Sequence, residues 1–155
     1  METVYIESTI PSYLTSRPTE NLIAAARQLQ TQEWWEDERH RYELFTSEVV
    51  LAECNIGDPE ASRRRIEVLK DLPTLEMTND CIKLAEQIFK VINLPDRARD
   101  DAFHIAIASI HGIDYLLSWN FRHIVNAANI RKLRLLLNST NFQLTSICSP
   151  EELVS

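Results

Sequence analysis

Along this chain, short β-branched and aromatic runs alternate with longer stretches of helical spacing. Thr3 to Glu7 (TVYIE) predicts a short buried strand that ends on an acid. Ser8 and Thr9 are placed to cap a short helix with Pro11 in its first turn. Asn21 to His40 has helical spacing through Ile23, Arg27, Gln30 and Trp34. Tyr42 to Thr46 (YELFT) predicts a second strand, and Ser47 caps a helix running to about Cys54. The turn Gly57-Asp58-Pro59 starts another helix through Ala61, Ile66 and Leu69.

A short strand at Thr74 to Met77 and a helix from Asn79 to Val91 come next. Pro95-Asp96 opens a helix whose apolar positions Ala102, Phe103, Ile105, Ala106, Ile107 and Ile110 lie all round it, which predicts burial on most sides. Tyr115 to Leu117 reads as a fully buried strand, because Leu116 and Leu117 do not alternate with polar residues. Helical stretches around Phe121 to Asn126 and Ala128 to Asn138 precede a last strand at Gln143 to Ile147. The alternation predicts an α/β fold, a mainly parallel sheet with helices on both faces. In such sheets ligands sit at the carboxyl ends of the strands.

Composition narrows this picture. A chain of 155 residues, 45% hydrophobic, fits one domain with a substantial core. No apolar run approaches the ~18 residues of a membrane span. The opening METVYIEST carries acid and enters a strand pattern at once, so a secretory signal is not expected and the cytoplasm is the expected location. The cysteines Cys54, Cys81 and Cys148 form no CxxC pair and are expected to be free thiols. With only Gly57 and Gly112, the chain has no Gly-rich phosphate loop, which excludes dinucleotide and P-loop chemistry.

The net charge of −7 argues against a protein that coats nucleic acid by charge alone. It is compatible with carboxylates gathered to hold divalent cations. Glu7 closes the first strand; Glu48 and Glu53 lie on the helix after the second; Asp100 and Asp101 open the apolar helix; Asn120 follows the strand Tyr115 to Leu117. These positions converge at one edge of a parallel sheet, as an oxygen-ligand Mg²⁺ or Mn²⁺ site requires. Glu48, in a first helical turn, is expected to favour the helix dipole instead. His104 reads as a packed histidine, since the second Asp/Glu-x-x-His helix of a di-metal bundle is absent. Trp34 and Trp35 read as core or interface, and Trp119 as the border of the site. The chain contains no GxSxG, and no serine or cysteine triad stands out.

In this order the segments resemble the PIN domain family and its VapC-like toxins of type II toxin-antitoxin systems. VYIESTIPSYL resembles the family's opening strand, acid and Ser/Thr; TSEVVLAEC its second segment, with Glu53 as the acid; DDAFHIAIAS its third, with Asp101; and DYLLSWNFRHI its fourth, with Asn120 at the acidic position. The resemblance spans nearly the whole chain and implies a three-layer α/β/α PIN-like fold formed by residues 1–155. It also implies a ribonuclease hydrolysing phosphodiester bonds with Mg²⁺- or Mn²⁺-activated water. Glu7, Glu53, Asp101 and Asn120 would then be catalytic, and Glu7, Glu53, Asp101 and Asp100 would hold the metal. Arg122, His123 and Arg131 are candidate RNA contacts, and a cognate antitoxin and a homodimer are the implied partners. Glu7 stands where the family usually has aspartate and Asn120 where it usually has an acid, which lowers the expected metal affinity. Two alternatives are a catalytically weakened PIN-like module that binds nucleic acid or protein, and a small phosphatase domain. The second is disfavoured because no DxD follows the first strand.

Overall fold

A computed structural model describes residues 1–155. Strand β1 (Glu2–Ile6) is followed by helices α1 (Thr9–Thr15) and α2 (Leu22–Glu33), then by β2 (Tyr42–Ser47), α3 (Glu48–Cys54) and α4 (Pro59–Leu69). The chain continues through β3 (Thr74–Leu75), α5 (Asn79–Val91), α6 (Arg99–Ile110), β4 (Tyr115–Leu117), α7 (Ala127–Asn138) and β5 (Ser146–Cys148). All strand pairs are parallel, in the order β3-β2-β1-β4-β5. Parallel pairing forces each connection to cross over the sheet, and the intervening helices cover it. Helix α1 packs on α2 and α4, while α5 packs on α6 and α7. These two groups are the outer layers of a three-layer α/β/α arrangement.

The middle of the sheet has no wet face: Val4, Tyr5 and Ile6 of β1 and Leu116 and Leu117 of β4 are all fully buried. From β1 the chain first builds outward through β2 to β3, then returns to place β4 on the other side of β1. The carboxyl ends of β1 and β4 therefore border the switch point, where an open parallel sheet forms its crevice. Helix α6 is enclosed on nearly every side, with Asp101, Ala102 and the whole run His104 to Ser109 buried. An acid and a histidine buried on such a helix must find polar partners.

Local chemistry accounts for most element boundaries. Ser47, Asp58, Thr78 and Asn126 each accept a backbone N–H of the first turn of α3, α4, α5 and α7. Removing the most exposed of these caps, Asp58→Ala, is expected to lower stability by about 1 kcal/mol in urea unfolding with an unchanged m value. Three expectations need correction. Ser8 makes no cap; its hydroxyl turns to Glu7. The long helix expected to His40 changes pitch, giving way to a π-helical turn at Trp34–Glu38 and a 3-10 turn at Arg39–Arg41. There Trp34 is buried, stacks on Tyr42 at 6.0 Å, and donates its indole N–H to Leu153 O at 2.9 Å. The segment Phe121 to Asn126 is a set of turns: Ile124 and Val125 both donate backbone N–H to Asn120 O, and extended Asn126 starts α7 afresh.

Candidate metal centre

Glu7 is the first residue past β1, and its backbone N–H continues the ladder to Leu117 O at 3.2 Å. Glu7 is 2% exposed, and its carboxylate is surrounded by donors. Oε1 accepts from Thr9 Oγ1 at 2.5 Å, Ser118 Oγ at 2.6 Å and the Thr9 backbone N–H at 3.2 Å; Oε2 accepts from Ser8 Oγ at 2.8 Å. These neutral groups orient the carboxylate without cancelling its charge. Ser118→Ala removes one of them and is expected to cost about 1.5–3 kcal/mol of stability, as hydrogen bonds to charged groups do. Chemical denaturation measures the loss; a cost below a few tenths would show that the bond is immaterial.

Glu53 comes from the last turn of α3 and His104 from the middle of α6. His104 Nε2 lies 2.6 Å from Glu53 Oε1, and Nδ1 lies 2.7 Å from Tyr5 Oη. Tyr5 Oη is in turn 2.6 Å from Ser47 Oγ, the oxygen that caps α3. Ligand atoms of Glu7, Glu53 and His104 all lie within 4.8 Å of one another. Burial alone would lower the His104 pKa. The hydrogen bond to Glu53 and the charges of Glu53, Glu7 and Asp101 outweigh it, and His104 is held above its ordinary value.

Asp101, in the first turn of α6, is 8% exposed. Burial pushes its pKa up to about 6; His104 opposes the rise, Glu7 adds to it, the Asn120 amide lowers it, and Glu53 raises it slightly. Asp100 is at the exposed rim, and desolvation followed by the charge of Glu53 raises it as well. Asn120 is half-buried after β4, where its Oδ1 accepts the His123 backbone N–H at 3.0 Å. Trp119 holds that turn in place: its backbone N–H donates to Thr9 Oγ1 and its indole N–H to buried Thr31 Oγ1, both at 2.8 Å.

The fold therefore brings Glu7, Glu53, Asp101 and Asn120 into one electrostatic unit, with Asp100 at its edge. Glu48 is exposed in the first turn of α3, where its charge favours the helix dipole. Arg122 and His123 follow Asn120 within three residues, and burial, then the charges of Arg122 and Arg97, lower the His123 pKa below its ordinary value. Arg131 is exposed on α7, with no hydrogen bond or ion pair to the acidic group. His104, Ser8, Thr9 and Ser118 have a larger part in the site than their sequence setting suggested. The only legible hint was the placement of His104 three residues after Asp101.

No lysine or arginine forms a salt bridge with Glu7, Glu53, Asp100 or Asp101. Like charges crowded at a strand-end crevice repel one another, and a cation offsets that repulsion. Carboxylate oxygens suit a divalent ion such as Mg²⁺ or Mn²⁺, so the donor set fits the metal that the resemblance implies.

No family model matches the chain, and no curated protein matches it. Among solved structures, the chain is similar to VapBC-5 from Mycobacterium tuberculosis, a member of the VapBC family of toxin-antitoxin systems. The two share 13% identity over 96% of this chain and 98% of that one, with a TM-score of 0.47. The five-stranded parallel sheet between two helical layers is the architecture expected from the four sequence segments.

Proposed function

We propose that residues 1–155 form one PIN-like domain that acts as a metal-dependent endoribonuclease of the VapC toxin type. The observation that carries this reading is the gathering of Glu7, Glu53 and Asp101, without any lysine or arginine partner, at the carboxyl ends of β1 and β4. Glu7, Glu53 and Asp101, with Asp100 at the rim, would hold Mg²⁺ or Mn²⁺. Such an ion lowers the pKa of a bound water and offsets charge on a phosphodiester.

The chain's own residues supply the rest. The hydroxyls of Ser8, Thr9 and Ser118 fix Glu7, so this carboxylate does not have to reorganise when substrate arrives, and His104 pairs with Glu53. Asn120 faces Asp101 and favours its charged form. Arg122 and His123 flank the crevice as contacts for the RNA strand, with Arg131 as a more distant one. A cognate antitoxin and a second copy of the chain are the partners of this reading, and the cytoplasm is its location.

The experiment is incubation of structured RNAs with the protein in Mg²⁺ or Mn²⁺, in chelator, and with Asp101→Asn in parallel. Metal-dependent cleavage by the wild type alone is expected; equal cleavage by both proteins would refute the site assignment. A second reading, a PIN-like module that binds nucleic acid or protein without cleaving, is favoured by one observation. Asn120 brings no charge, and its Oδ1 is already engaged by the His123 N–H. Calorimetric titration with Mn²⁺ separates the readings, because the binding module shows no specific uptake.

A further inference from the structure

We propose that His104 Nε2 is a nitrogen ligand in the centre formed by Glu7 and Glu53, and that it gives this site a preference for Mn²⁺ over Mg²⁺. The inference rests on the metal-dependent reading above and specifies the chemistry of that same site.

The imidazole is fully buried, yet its two nitrogens face different surroundings. Nδ1 is anchored to Tyr5 Oη at 2.7 Å, and Tyr5 is anchored to Ser47 Oγ at 2.6 Å. Nε2 points the other way, 2.6 Å from Glu53 Oε1, and one ring nitrogen of His104 lies within 4.8 Å of ligand atoms of both Glu7 and Glu53. A histidine that binds a metal through one nitrogen is typically held by a hydrogen bond at the other, which sets the tautomer and the ring direction. Tyr5 fills that position: with Nδ1–H donating to Tyr5 Oη and Tyr5 donating to Ser47 Oγ, a cation that displaces the Nε2 proton shared with Glu53 would meet the Nε2 lone pair. Ser47 also caps α3, the helix that carries Glu53, so one chain of hydrogen bonds sets both donors.

A packed histidine would need only that its two nitrogens be satisfied. Charge balance asks for more here. Even with His104 protonated, one positive charge faces the carboxylates of Glu7 and Glu53, with Asp101 and Asp100 beside them. A divalent cation in contact with both glutamates and a neutral imidazole balances the pair. Asn120 supplies no charge at its position, and the nitrogen ligand offsets that lost donor in number. It also changes the donor type. Mg²⁺ favours hard oxygen ligands and retains its waters, whereas imidazole suits the borderline first-row cations.

The test is pulsed electron paramagnetic resonance of the full-length protein loaded with Mn²⁺, alongside calorimetric titration with Mn²⁺ and with Mg²⁺. The expected result is ¹⁴N modulation from one imidazole in the wild type. It should persist in His123→Asn and disappear in His104→Gln. Calorimetry should show Mn²⁺ binding more tightly than Mg²⁺, with Mn²⁺ affinity falling at least about tenfold in His104→Gln and Mg²⁺ affinity changing much less. Bound Mn²⁺ without nitrogen coupling in the wild type overturns the inference while leaving the metal-dependent reading intact. Absence of any specific Mn²⁺ uptake overturns both. If His104→Gln does not fold, the wild-type and His123→Asn spectra decide the question. The two remaining histidines are elsewhere: His40 lies in the turn before β2, and His111, past the end of α6, is 2.6 Å from Glu76 O.

Discussion

Asp101→Asn is expected to lower RNA cleavage by about a hundredfold or more, and at the same time to stabilise the metal-free protein. On the proposed reading, the loss follows from removing a buried charge at the proposed cation site; changing even an outer-shell partner of a metal costs roughly 10–100-fold. The gain follows from the same burial. The folded protein holds Asp101 at about 6 against an ordinary 3.8, so keeping it ionised at neutral pH opposes folding by ~2–3 kcal/mol. Asparagine has nearly the same shape without that charge. Parallel measurement of cleavage rate and urea midpoint in chelator checks both halves. A variant that cleaves normally, or one that is no more stable than the wild type, would count against the assigned role.

The second large effect concerns pH and metal together. A raised carboxyl pKa makes ionisation unfavourable to the fold, so Asp101 costs nothing below its ordinary value and its full penalty above about 6. Stability attributable to Asp101 therefore falls as pH rises from about 4 to 6, and Asp101→Asn should lack that part of the slope. His104, raised above 6.5, acts in the same direction at higher pH: its stabilisation is complete below the ordinary value and is lost as pH rises through the raised one. On the metal-dependent reading Mn²⁺ is expected to reverse the trend, because it would bind the deprotonated donors and displace their protons. At a hundredfold excess over its dissociation constant it adds about 2.7 kcal/mol. Thermal melts from pH 5 to 8, with chelator and with Mn²⁺, read this directly; parallel pH profiles in the two buffers would contradict it.

Much of this protein is legible in its residues. The strands Tyr115 to Leu117 and Thr3 to Glu7, the helix Asn79 to Val91 and the caps Ser47 and Asp58 are local decisions: β-branched runs, amphipathic spacing and side chains that accept a first-turn N–H. The convergence of Glu7, Glu53, Asp101 and Asn120 was expected too, since strand-end acids in a parallel sheet share one edge. The misreadings involve polar side chains with two options. Ser8 suits an N-cap, but the buried Glu7 carboxylate outweighs the helix end as an acceptor. Asn120 and Asn126 interrupt what looked helical because each offers the backbone a turn.

By itself, the sequence determined the α/β alternation, the buried character of β1, β4 and α6, and which carboxylates stand near strand ends. These depend on residues close together in the chain, and local physics decides them. Only the tertiary structure decided that His104 is a partner of Glu53 rather than a filler of the core. That outcome depends on which atoms meet across α3, α6 and β1 after packing. Residues 5, 53 and 104 are separated by long stretches of chain, and no spacing or propensity records the 2.6 Å between Nε2 and Oε1.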